Sequence, residues 1–150
     1  MILTLDLGTK TGYAVIENRK LIESGFENFA DHKFSGAGMR YLKFKKWLHH
    51  SYCEVDAIYF EAVRRHIGTD AAHMYGGFMS HLTCFCEEYS IPHDGVPVGT
   101  IKKHITGKGN ASKDDVLKAV NKKYNINVVD DNESDAIALA SYVIHNIKLF

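Results

Sequence analysis

Little in this sequence is in excess, and each shortage rules something out. The 150 residues carry 18 basic and 18 acidic side chains, so no net charge announces a polyanionic partner; such a partner has to be met by a local patch. Three cysteines, an odd number, exclude a disulfide framework and fit a reducing compartment. No apolar run is long enough for a bilayer, and Met1 to Leu7 is too short for a secretion signal and carries Asp6. The expectation is a soluble, intracellular (cytoplasmic) protein without a membrane partner. Only two prolines occur, both beside one short strand, and no repeat or Pro/Gly-rich linker interrupts the chain. Residues 1–150 are therefore expected to form one domain, for which a 45% hydrophobic content supplies ample core.

What is present is strongly patterned. The first thirty residues read as an antiparallel meander of three strands, Ile2 to Leu7, Tyr13 to Glu17 and Leu21 to Phe29. The turn-like stretches Gly8-Thr9-Lys10-Thr11-Gly12 and Asn18-Arg19-Lys20 separate them. Tyr41, Phe44 and Leu48 recur at helical spacing with Trp47 beside them, while Arg40, Lys43, Lys46 and His50 face elsewhere, predicting a helix over Gly38 to Ser51. A fourth strand is expected from Asp56 to Glu61. A long helix from Asp70 to Tyr89 then puts Tyr75, Phe78, Leu82, Phe85, Cys86 and Tyr89 on one face. A fifth strand near His93 to Val98 leads into a Lys-rich helical region and a last helix, Asn132 to Ile147.

Four acids fall where these elements end or begin. Asp6 closes Ile2-Leu3-Thr4-Leu5, Glu61 closes Ala57-Ile58-Tyr59-Phe60, and Asp131 and Asp135 open the final helix. The order β-β-β-α-β-α-β-α, with acids ending strands one and four, matches an α/β, ribonuclease-H-like fold: a five-stranded mixed sheet flanked by helices. There the first and fourth strands are neighbours, so their carboxylates can share a metal that an acid of the last helix joins. Hard cations such as Mg²⁺ take oxygen ligands. Two such ions about 3.5–4 Å apart activate a water and stabilise the leaving oxygen in phosphodiester hydrolysis. Taken singly, an Asp after a strand is more often a turn former, and Asp130, Asp131 and Asn132 are also good helix caps. The four-part order is what favours a metal site, and capping and metal binding are compatible.

The segments Ile2 to Ala14, Phe60-Glu61-Ala62-Val63, Thr106-Gly107-Lys108-Gly109-Asn110-Ala111-Ser112-Lys113-Asp114-Asp115-Val116 and Asp135-Ala136-Ile137-Ala138-Leu139-Ala140 resemble, in this order and spacing, the RuvC family of Holliday-junction resolvases. The length suits a compact member of the kind a virus encodes. The resemblance implies a homodimer, Mg²⁺ dependence with Mn²⁺ as substitute, two ions per site, and symmetric nicking of four-way DNA junctions that leaves 5′-phosphate and 3′-hydroxyl ends. Asp6, Glu61 and Asp135 match three of the family's four metal-binding acids. The chain departs from the pattern twice. The fourth acid commonly lies three residues before the last, where this chain has Asn132; Asp131 is the expected substitute, with Asp130 and Glu133 as rivals. Where bacterial relatives carry a base-stacking aromatic, Val63 is followed by Arg64, Arg65 and His66, and Arg can also stack.

The patch a DNA partner needs lies between Lys102 and Lys123, where seven lysines face only Asp114 and Asp115. A lysine run alone is usually a solvated helix. Here the glycines of Gly107-Lys108-Gly109-Asn110 let backbone amides approach a phosphate, and Ser112 or Asn110 can cap the helix that follows. Lys108 and Lys113 are the leading DNA-binding candidates, followed by Lys102, Lys103, Arg64 and Arg65. Lys10 either touches the scissile phosphate or offsets nearby acids. His73, His81 and Cys84 share a helix face but lack a second convergent segment, so they predict a solvent or dimer face, with Gly76-Gly77 permitting close helix approach, rather than zinc. Three other readings stay open: a different ribonuclease-H-like nuclease, such as the YqgF type, acting on RNA or flaps; a fragment of the actin and sugar-kinase fold; and a non-catalytic junction-binding module. No nucleotide cofactor is expected.

Overall fold

The structure is a computed structural model and describes residues 1–148. Five strands, β1 (Ile2–Asp6), β2 (Lys10–Glu17), β3 (Lys20–Asn28), β4 (Ala57–Ala62) and β5 (His93–Pro97), form one sheet in the order β3-β2-β1-β4-β5. β1 runs antiparallel to β2 and parallel to β4, β2 is antiparallel to β3, and β4 is parallel to β5. Five helices complete the chain: α1 (Met39–Ser51), α2 (Thr69–Glu88), α3 (Val98–Thr106), α4 (Lys113–Tyr124) and α5 (Asp131–Asn146). The expected element order holds, and the Lys-rich region resolves into two helices, α3 and α4.

β1 is apolar throughout because it is central and covered on both faces. Strand side chains alternate, so Leu3 and Leu5 enter a core with Phe44 and Leu48 of α1 and Phe78, Leu82 and Phe85 of α2. Ile2 enters a second core with Ala14, Val116, Val120 and the apolar face of α5. Each fully buried Phe or Leu contributes about 1.5–3 kcal/mol. Thr4 lies in the same strand and is fully buried; its hydroxyl donates to the Ala136 carbonyl at 2.9 Å, pinning α5 across β1.

Several local expectations shift. β2 begins at Lys10, three residues early, because Lys10 to Gly12 pair with Asn28 to Phe26 of β3 and Gly12 with Asp6. The true turn at the other hairpin is Asn18-Arg19, both at positive φ. Tyr89 is exposed, its hydroxyl bonded to His49 Nδ1 at 2.8 Å. Gly77 does serve close approach, but within the chain: a Cβ there would lie 2.5 Å from Cζ of Tyr41 on α1. His81 stacks on the same Tyr41, His73 and Cys84 are exposed, and none of the three joins a metal-type cluster among the described residues. The three cysteines are free. No helix among the described residues is long and apolar enough to cross a membrane.

Candidate active site

Strand alternation places the acids. In β1 the residues Ile2, Thr4 and Asp6 share one face, and in β4 so do Ala57, Tyr59 and Glu61, the face that α5 covers. The parallel register ends at Leu5 opposite Phe60, so Asp6 and Glu61 come next on both strands. Asp135 meets them from the second turn of α5. One carboxylate oxygen of each of Asp6, Glu61 and Asp135 lies within 4.8 Å of the others, and no other metal-type cluster occurs among the described residues. The three line a cleft of about 350 Å³ with Gly8, His66, Lys102 and Lys113.

This meeting depends on Gly12. It pairs with Asp6 across β1–β2, and the backbone of Asn132 occupies the space its side chain would need: a Cβ on Gly12 would lie 1.9 Å from the Asn132 carbonyl oxygen. Glycine therefore lets the N-terminus of α5 sit down on the sheet beside Asp6. On the other flank Tyr75 of α2 ties off β4, its hydroxyl donating to the Glu61 carbonyl at 2.8 Å and accepting from the Val63 N–H at 3.1 Å. The His66 ring lies 4.9 Å from that of Tyr75 and keeps a buried Nε2 without a partner.

Crowding three acids has an electrostatic consequence. Burial, then the charges of Glu61 and Asp135, hold the Asp6 carboxyl well above the ordinary carboxylate range. Burial, then Glu61, pushes Asp135 up to about 7, against the lowering influence of Lys113 and Lys102. Burial alone would lower Lys113, but the hydrogen bond to Asp131 and the nearby carboxylates outweigh it and raise the ammonium. The cluster thus holds more negative charge than its surroundings neutralise.

The remaining expected residues are distributed as follows. Asp131 opens α5 on the same face as Asp135, one turn away, but stands at the rim, where Lys113 Nζ donates to it at 3.0 Å. Asp130 is the N-cap of α5, accepting from the Glu133 N–H at 3.0 Å, and also pairs with Lys10. Glu133 accepts from Ser24 Oγ on β3 at 2.7 Å. Lys10 is thereby drawn to Asp130, and its ammonium lies 4.0 Å over the Phe26 ring rather than lining the cleft. Lys102 and Lys113 do line it. Lys103 and Lys108 are exposed on and after α3, and Arg64 and Arg65 on the loop after β4, all outside the cleft lining. Ser112, not Asn110, caps α4, in a reciprocal capping box with Asp115. Thr4, Gly12 and Tyr75 escaped the sequence reading: a hydroxyl in an apolar strand was the only sign of Thr4, Gly12 read as a turn residue, and Tyr75 as core.

Sheet order, parallel β1–β4 pairing and an acidic cluster under the last helix define a ribonuclease-H-like fold. Among solved structures, the chain superposes on Thermus thermophilus RuvC. The match to that protein in complex with a Holliday-junction substrate has a TM-score of 0.71 at 17% identity, covering 93% of this chain and 90% of that one. A second T. thermophilus RuvC structure also gives 0.71, at 16% identity over 96% and 93%. In sequence, 40 residues are 45% identical to the crossover junction endodeoxyribonuclease RuvC of Brachyspira hyodysenteriae, 27% of this chain and a quarter (25%) of that relative's length. No protein-family model matches the chain. The resemblance to RuvC read from the motifs therefore holds across the fold and, in sequence, over this local segment.

Proposed function

We propose that the chain is a structure-selective endodeoxyribonuclease that resolves four-way DNA junctions, and related branched DNA, by divalent-metal-dependent hydrolysis of phosphodiester bonds. The observation that carries this reading is the convergence of Asp6, Glu61 and Asp135 within 4.8 Å, on a fold shared with a RuvC solved on a Holliday junction. The donor set fits a hard cation: three carboxylate oxygens, no soft ligand, and uncompensated negative charge that raises Asp6 and Asp135. Mg²⁺ bound there, with Mn²⁺ as substitute and two ions in the full site, supplies Lewis acidity that polarises the phosphate and makes water a nucleophile near neutral pH.

The chain's own groups do the positioning. Asp6, deepest of the acids, is shared ground between Glu61 and Asp135, and Asp131 completes the set from the rim. Lys113 and Lys102 face the acids across the cleft and orient the anionic phosphodiester. Lys108, Lys103, Arg64 and Arg65 extend the contact to flanking phosphates, which fix register without reading sequence. A homodimer would set two such clefts against the two-fold symmetry of the junction.

The test is cleavage of labelled four-way, three-way, flap and plain duplex DNA in Mg²⁺, with Asp6→Asn alongside. Paired symmetric nicks in the four-way junction are expected, reduced on the order of 10³-fold or more in the variant, which still binds the junction. Cleavage confined to flaps or RNA would replace this reading with another ribonuclease-H-like nuclease; binding without cleavage would make the chain a junction-binding module.

A further inference from the structure

A second cationic surface lies outside the cleft. Between Asp31 and Glu54 the sequence holds no acid, yet it carries Lys33, Arg40, Lys43, Lys45 and Lys46 in a chain whose charges otherwise cancel. α1 buries Phe44 and Leu48 and turns Lys43, Lys45, Lys46 and His50 away from the core. Among the described residues no carboxylate pairs with Lys43, Lys45 or Lys46, although Arg40 is held by Asp31 at 2.9 Å. A solvated helix normally interleaves both signs; here lysines meet like charges at adjacent turns, which destabilises the isolated helix. The helix also starts at the cleft. An Arg40 guanidinium nitrogen lies 3.3 Å from Thr9 Oγ1 and 3.2 Å from the sulfur of Met74, a cleft-lining residue. From there its 13 residues run about 19 Å along the sheet face opposite to α3, α4 and α5.

We propose that the outward face of α1, through Lys43, Lys45 and Lys46, is a second DNA-binding surface that grips the phosphate backbone of a duplex arm leaving the cleft; this rests on the nuclease reading above. The partner is nucleic acid rather than an anionic membrane because the helix has already buried its apolar face in the core, leaving none to insert among lipids. The two basic elements, α1 on one side of the sheet and α3–α4 on the other, then flank the acidic cleft, as holding two arms of a branched substrate requires.

The experiment compares four-way junction binding by the wild type, by Lys43→Gln/Lys45→Gln/Lys46→Gln and by the corresponding triple Arg variant, each across a salt series. Phosphate contacts release counterions, so the Gln variant should show a log K against log salt slope shallower by about two to three and bind at least about tenfold more weakly at 0.1 M salt. The Arg variant should keep the wild-type slope. Melting temperatures should not fall in the Gln variant, since it loses repulsion rather than contacts. If the wild type cuts junctions but all three proteins share one slope, this inference is wrong and the nuclease reading stands. If the wild type neither binds nor cuts branched DNA, both fall. Phosphatidylserine vesicles form the last arm: binding lost only from the Gln variant, with its DNA slope unchanged, would assign the surface to membranes instead.

Discussion

Asp135 carries the clearest single-residue consequence. Its carboxyl titrates at about 7 in the folded chain and near its ordinary value of 3.8 when unfolded. The folded state therefore holds the proton more tightly, and stability present below about pH 4 is lost as pH rises to about 7, then stays level. Asp6 acts with the same sign. In chelator, the wild type should be less stable to urea at pH 8 than at pH 5, and Asp135→Asn should recover on the order of 2–4 kcal/mol at pH 8. Equal stability at both pH values, with no gain in the variant, would contradict the electrostatic account. Adding Mg²⁺ or Mn²⁺ should raise the melting temperature more at pH 8 than at pH 5, because protons compete for the same oxygens. Asp131 differs from Asp135 in degree: it sits at the rim on Lys113, so Asp131→Asn should cost about 10- to 100-fold in cleavage, less than Asp6→Asn.

At the scale of elements, the site exists only where β1, β4 and α5 are held in contact. Three groups hold them: Thr4 bonded to Ala136, Gly12 beneath Asn132, and Tyr75 closing β4. Gly12 is the most restrictive, since the obstructing atoms are backbone rather than a side chain that can turn aside. Gly12→Ala should therefore lift the start of α5, cost about 2–4 kcal/mol of stability and depress cleavage with it. Denaturation and cleavage measured on the same preparation check this; an alanine variant with wild-type values in both would show that α5 is not seated as described. By contrast Gly77→Ala meets the Tyr41 ring, which can shift, and should cost less.

For the whole molecule, substrate symmetry sets the expectation. A four-way junction presents two equivalent strands, and paired nicks need two clefts at a fixed separation. The chain of 16.9 kDa should then behave in solution as a particle of twice that mass, and the two nicks on one junction should be coupled within a single encounter. Light scattering and cleavage of a supercoiled cruciform, where uncoupled cuts give nicked circles and coupled cuts give linear DNA, measure the two properties separately. A monomer that yields only nicked circles would remove the dimeric resolvase while leaving a nuclease.

The sequence by itself determined the order of the elements and the ends at which three acids stand, because period-two and period-3.6 patterns are local and survive without neighbours. Apolar residues running straight into Asp6 and Glu61 marked the strand ends, and Asp135 followed from the last helix. Only the tertiary structure decided how the remaining charges were shared out. Asp130, Asp131 and Glu133 look alike in sequence, yet they take Lys10, Lys113 and Ser24 as partners, residues 120, 18 and 109 positions away. Gly12 is likewise ordinary until α5, arriving from the other end of the chain, lays the Asn132 backbone against it. Side-chain pairing and steric exclusion act through space, so no local pattern records which of several equivalent residues the fold will bring into reach.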